Sequence, residues 1–176
     1  MNTLPTIKHN IASLLCSGAL RLLAGSALSI MSMVTVEAAV SCSASATGPA
    51  FGVYNPLNAS PALANGNVTV TCNWLSGGTT TVNLVTSYST GASGSYASRS
   101  MKSGVNVLSY NLYFDAAFTQ IRGDGTGGSQ TGGATFTLNS GSPTQSASGV
   151  IYGRIPASQD VVPGSYIDTI VLTVTY

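Results

Sequence analysis

The chain is 176 residues long, carries a formal net charge of +1, and only 6% of its residues are charged. It holds no cluster of Lys or Arg. Tight nucleic-acid binding draws on several cations facing phosphates and is therefore excluded, as is attraction to an anionic membrane surface. The length suits one domain around one core.

The first 38 residues differ from the rest. Met1 to Asn10 is polar and carries Lys8 and His9; an apolar stretch runs from Ile11 to Val36, is interrupted by Arg21, and ends at Val36-Glu37-Ala38-Ala39. A basic start, an apolar middle and small residues at a cut site describe a secretory signal peptide. The apolar core from Leu22 to Val34 has 13 residues, fewer than the roughly 20 that span a bilayer. Joining both apolar halves would place Arg21 in the membrane at a cost of about 3 kcal/mol, so a retained anchor is the alternative and no retained transmembrane segment is expected. The expected cut lies between Ala38 and Ala39, which makes 1–38 the signal peptide and 39–176 the domain. That domain has 176 − 38 = 138 residues, with Arg99, Lys102, Arg122 and Arg154 balanced by Asp115, Asp124, Asp160 and Asp168.

Cys16 leaves with the leader, so Cys42 and Cys72 remain as an even pair in an oxidising compartment, where a disulfide is expected. Closing a loop of about 30 residues would stabilise the fold by roughly 3–4 kcal/mol on the chain-entropy estimate. Two free buried thiols are the alternative.

No segment of the exported part keeps helical spacing; short alternating runs between turn residues give a strand signal instead. In Asn67 to Trp74, Val68, Val70, Cys72 and Trp74 share one face, and Asn67, Thr69, Thr71 and Asn73 the other. This period of two puts Cys72 inside, so its bond to Cys42 would pin the first strand to its neighbour. Ser76-Gly77-Gly78 makes a turn into a strand from Thr79 to Tyr88 through Val82 and Leu84. Val105 to Phe114 alternates again, with Leu108, Tyr110, Leu112 and Phe114 on one face. Gly123 to Gly133 reads as a loop or loose hairpin, Ala134 to Leu138 and Gly149 to Ile155 as strands, and Tyr166 to Tyr176 as the strongest strand. There Tyr166, Asp168, Ile170, Leu172, Val174 and Tyr176 share a face. Roughly seven short strands point to an all-β sandwich of immunoglobulin-like type.

The chemistry of common enzymes is missing. No histidine survives removal of the leader, which removes Ser-His-Asp and Cys-His arrangements and the usual zinc ligands. Asp124, in Gly123-Asp124-Gly125, lacks the further acidic positions of a calcium loop and reads as a turn residue. Asp168, on an inward face, is expected to pair with an Arg or to accept backbone hydrogen bonds at a strand end, because an unpaired buried charge is costly; a buried functional acid is the alternative. No enzyme activity, cofactor or metal is expected.

The ordered residues resemble the spore coat protein U domain family. The likeness is carried by Cys42, Phe51-Gly52-Val53-Tyr54-Asn55-Pro56, Val70-Thr71-Cys72, Arg99-Ser100-Met101 and Leu108-Ser109-Tyr110-Asn111-Leu112-Tyr113. It continues through Gly123-Asp124-Gly125, Tyr152-Gly153-Arg154-Ile155-Pro156 and Gly164-Ser165-Tyr166-Ile167-Asp168-Thr169-Ile170, ending at Val174-Thr175-Tyr176. Each piece alone is weak, but in this order they span nearly all of Cys42 to Tyr176.

The resemblance implies a pilin-like subunit of archaic chaperone–usher fibres, with an immunoglobulin-like fold that lacks its final strand. A periplasmic chaperone would fill the gap first. An N-terminal extension of a neighbouring subunit would replace it at the outer-membrane usher, by strand addition to an open edge. The subunit would pass through the periplasm to the cell surface or an extracellular fibre. One departure matters: a cut after Ala38 leaves only Ala39-Val40-Ser41 before Cys42, which gives an acceptor that cannot donate, placed at a fibre tip or outside a fibre altogether. A cut after Ala27 would instead release Leu28 to Glu37, with Leu28, Ile30, Val34 and Val36 as a donor row. The alternative function is a self-sufficient secreted module for surface carbohydrate or abiotic material, for which Tyr88 and Tyr96 are candidate exposed contacts, packing residues being the equal alternative for both.

Overall fold

A computed structural model describes residues 37–176. The expected leader therefore lies outside the described residues, apart from its last two, Glu37 and Ala38.

Eight strands form: β1 (Ala39–Thr47), β2 (Ala62–Ser76), β3 (Thr80–Tyr88), β4 (Arg99–Ser103), β5 (Asn106–Tyr113), β6 (Gly132–Leu138), β7 (Thr144–Ile155) and β8 (Leu172–Thr175). One sheet runs β1-β2-β7-β5-β4 and the other β6-β3-β8, with every pairing antiparallel. The fold is the expected all-β, immunoglobulin-like sandwich. Along β2 the alternation holds: Val68, Val70 and Cys72 are buried while Asn67 is exposed. Cys42 stands opposite Cys72 in the β1–β2 register and bonds to it.

Inside the sandwich are two apolar clusters. The first joins Cys42, Val70 and Cys72 to Val82, Leu84, Phe136 and Leu138, so strands close it from both sides. The second joins Val68, Tyr88, Leu108, Tyr110, Leu112, Ile151 and Ile155. Half-buried residues outside the ladders cover this second cluster, among them Phe51, Tyr54, Tyr166 and Ile170. One half of the sandwich is thus closed by sheet and the other by loop.

Three expectations are decided or corrected. Of the two readings of Tyr88 and Tyr96, packing is the one observed: they are core residues, 3% and 9% exposed, and not exposed contacts. Each ring lies beside a buried guanidinium, Tyr88 by Arg122 and Tyr96 by Arg99. Second, β7 begins five residues before Gly149, because Thr144 to Ser148 pair with β2 along a face of hydroxyls and carry no apolar signal. Third, the last strand is laddered only from Leu172 to Thr175. β3 ends at Tyr88 and turns into the 3-10 turn Gly91–Ser93, which leaves residues 166–171 without a continuous partner among the described residues. They are held by isolated bonds, Ser89 N–H to Val171 O at 2.9 Å and Lys102 N–H to Ile167 O at 2.9 Å. Their alternation nonetheless persists: Tyr166, Asp168, Ile170, Leu172 and Val174 are half-buried between exposed neighbours, while Tyr176 is exposed.

Candidate functional site

The loop-covered half of the sandwich is an open groove. One wall is the end of β1 with Gly48, Pro49 and Phe51; the other is the final segment through Asp168, Ile170 and Leu172. Tyr88, Tyr110, Leu112 and Ile151 form the floor of a cavity of about 230 Å³. It continues past Pro49, Phe51 and Met101 into a wider one of about 700 Å³ over Leu108 and Ile155, bounded by Val161 to Tyr166. Among the described residues its walls have free edges, because there β1 pairs only with β2 and β8 only with β3. Unpaired N–H and C=O groups beside apolar side chains are the two requirements of a strand-addition site.

Most of the family-motif residues meet at this groove. Gly52 takes φ +68°, which a β-carbon disfavours, and turns the chain between Phe51 and Tyr54. Phe51 packs edge-on against Tyr110, with ring centres 6.1 Å apart. Gly153 is required by closeness: a β-carbon there would come within 2.7 Å of Phe51 and 2.8 Å of Pro49. Tyr54 Oη donates to Pro156 O at 3.0 Å and accepts from Gln159 N–H at 2.8 Å. Tyr166 Oη donates to Val162 O, and Gly164 leaves room for the Ser103 side chain. The Tyr110 hydroxyl donates to Asp168 Oδ2 at 2.7 Å, and burial, with Asp168 beside it, pushes its pKa well up. Asp168 Oδ1 accepts the N–H groups of Ala92 and Thr169 at 2.9 and 2.8 Å. Of the two arrangements expected for Asp168, backbone acceptance is therefore the one observed.

The other motif residues lie elsewhere. Tyr113 and Arg154 both flank Phe118, edge-on and by cation–π contact respectively. Tyr176 follows β8 and is 44% exposed. Asn111 is buried in a polar network that the alternation gave no sign of. Its Oδ1 accepts from Arg99 Nη1 at 2.7 Å and from Leu112 N–H at 2.9 Å, and its Nδ2 donates to Tyr96 O at 2.8 Å. Arg99, fully buried, also donates to Ser89 O and Arg122 O. Sequence reasoning also missed Gln159, whose amide exchanges two hydrogen bonds with the backbone of Ser109, at 2.8 and 2.9 Å, and so stands in for a strand at the edge of β5. No sequence pattern announces such a substitute. Asp124, by contrast, does act as a turn residue and accepts from the N–H and hydroxyl of Thr126.

The sequence matches the Spore Coat Protein U domain over residues 29–173. It is 30% identical over 133 residues to Protein U of Myxococcus xanthus, an alignment that covers 72% of this chain and 70% of that protein. A structural match is a chain in the crystal structure of the CsuC-CsuE chaperone–tip adhesion subunit pre-assembly complex from archaic chaperone–usher Csu pili of Acinetobacter baumannii. The TM-score is 0.46 at 17% identity, and the match covers 78% of this chain but only 40% of that one. By the extent of its sequence match, the chain belongs to the spore coat protein U domain family.

Proposed function

We propose that this chain is an exported structural subunit of a surface fibre or coat, taken up by a periplasmic chaperone and assembled at an outer-membrane usher by strand addition. The observation that carries the proposal is the groove. The inward row of the last segment, Tyr166, Ile170, Leu172 and Val174, is only half-buried beside an unpaired backbone edge. An added strand would cover that row and pair that edge, and so relieve an aggregation hazard. No catalytic role is needed to account for any residue of the groove.

The subunit also donates a strand in this reading, and its leader ends after Ala27. Two observations support the earlier cut. The family match begins at residue 29, inside the segment that a cut after Ala38 would discard. The backbone of Ala38 also already packs on the β2–β3 turn, where a β-carbon on Gly77 would come within 2.6 Å of it. Leu28 to Glu37 then supplies the donor row. Sequencing the amino terminus of the exported protein tests the cut, with Leu28 expected; a start at Ala39 would make the subunit acceptor-only. Co-expression with a periplasmic chaperone tests the groove. A stable 1:1 complex is expected with the native chain and its loss with Ile170→Asp, whereas a stable lone monomer would refute the proposal.

A further inference from the structure

A second cleft opens between β6 and the first half of β7, and it shares no lining residue with the groove. It measures about 310 Å³, the lower end of the range of about 300–1,000 Å³ for small-molecule sites. Val68, Val70, Leu84 and Ala134 give it an apolar side. Gln120, Gln130 and Thr131, all exposed and all polar, line the rest of it.

Its wall also contains Arg122, which is only 4% exposed. The guanidinium is fixed by hydrogen bonds to three neutral oxygens: Tyr113 O at 3.1 Å, Tyr88 Oη at 3.3 Å and Val150 O at 2.5 Å. Its Cζ lies over the Phe114 ring, 3.9 Å from the ring centre. Five N–H groups belong to a guanidinium; these bonds use three, leaving one on each terminal nitrogen. The influences on its charge are burial and Tyr88, with no carboxylate among them. A buried cation with no anion among the described residues is costly to keep, and here it is held rigid beside a cleft. Rigid placement of a charge before a ligand arrives is what makes a site rather than a mere ion pair. Gly149 keeps the approach open, since a β-carbon there would lie 3.5 Å from Arg122 Nη2.

We infer that this cleft binds a small sugar acid of the hexuronate type, its carboxylate on the free N–H groups of Arg122 and its ring between the apolar side and the Gln120, Gln130 and Thr131 side chains. The class follows from the lining. The cation asks for an anion and the amides and hydroxyl for a polyol, while the Val–Leu side asks for the apolar face of a ring. Because the cleft is separate from the groove, the inference stands or falls independently of the fibre reading.

The test is a titration of the exported protein, as purified and with whatever fills its groove left in place. D-glucuronate, D-glucose and acetate are added in turn and followed by amide chemical shifts. Glucuronate is expected to shift residues 130–133 and 147–149, and to bind at least about tenfold more tightly than glucose or acetate. Gly149→Val should abolish those shifts; the fold tolerates it because the other near neighbour, Val68, is 3.7 Å away and β-branched residues suit a strand. Gln130→Leu, at an exposed position, should weaken glucuronate binding and leave chaperone capture unchanged. Glucose binding as well as glucuronate would overturn the role of Arg122. Acetate matching glucuronate would overturn the sugar assignment. Shifts confined elsewhere, or undiminished in Gly149→Val, would overturn the site.

Discussion

Asn111 sits on the face of β5 that alternation assigns to solvent, and it is buried as an acceptor for the buried Arg99. Arg99 has no carboxylate within its hydrogen bonds; Asn111 Oδ1 and the carbonyls of Ser89 and Arg122 take its N–H groups. Asn111→Ala would strip the buried guanidinium of its side-chain acceptor and free the carbonyls of Tyr96 and Ala97. A loss of about 2–4 kcal/mol is expected, read as a lower urea midpoint of the chaperone-bound or strand-filled subunit. Asp168→Asn is milder, about 1–2 kcal/mol by the same measurement, because the amide can keep one backbone bond while losing its charge-assisted contact to Tyr110. Asp124 carries a pH response. Its bonds from the Thr126 hydroxyl and N–H hold its carboxyl below the usual carboxylate range. A lowered folded pKa contributes order above the unfolded value and loses it as pH falls through the folded one. The amide shifts of Thr126 and Ser129 are therefore expected to be constant at neutral pH and to move only in acid, below the usual range for aspartate.

Period-two patterning made β2, β3, β5 and β6 legible because each buries one face and wets the other. The first half of β7 was not legible, since its outward residues bond sideways to β2: Thr69 to Ser148 and Thr71 to Ser146, each at 2.8 Å. Serine and threonine there look like loop in a sequence and behave as a ladder in a sheet. The motif residues of the groove were legible as a set, yet their geometry was not. That Gly153 makes room for Phe51, or that Gln159 replaces a strand at Ser109, depends on contacts across about 50 to 100 residues of chain. The disulfide is the element whose role the sequence conveyed best. β1 pairs only with β2, so the Cys42–Cys72 bond, closing 30 residues, is its one covalent tie to the sheet. Cys72→Ser, or reduction, should cost roughly 3–4 kcal/mol on the chain-entropy estimate and lower chaperone capture in proportion. Unchanged urea unfolding and capture after reduction would show the bond to be dispensable.

At the scale of the molecule, the sandwich is stable on one side and unfinished on the other. The first cluster lies between β1 and β2 on one side and β3 and β6 on the other and is tied by the disulfide, whereas the second is covered by half-exposed residues that a further strand would bury. Few charges are available to steer such a strand. From Glu37 onward there are four cations and five carboxylates, and Arg99 and Arg122 are buried. Subunit encounter should therefore depend on apolar burial and backbone pairing, with salt a minor influence. A synthetic peptide of residues 28–38, added to the chaperone-bound subunit, is expected to displace the chaperone and leave a monomer with a higher melting temperature. A peptide with Ile30 and Val34 both changed to Asp should fail, because the charges would have to enter the apolar floor beside Tyr110 and Leu112. The exchange rate should change by less than about threefold between low salt and roughly 0.5 M. A steep salt dependence would mean that charge, not the unfinished half of the core, selects the strand.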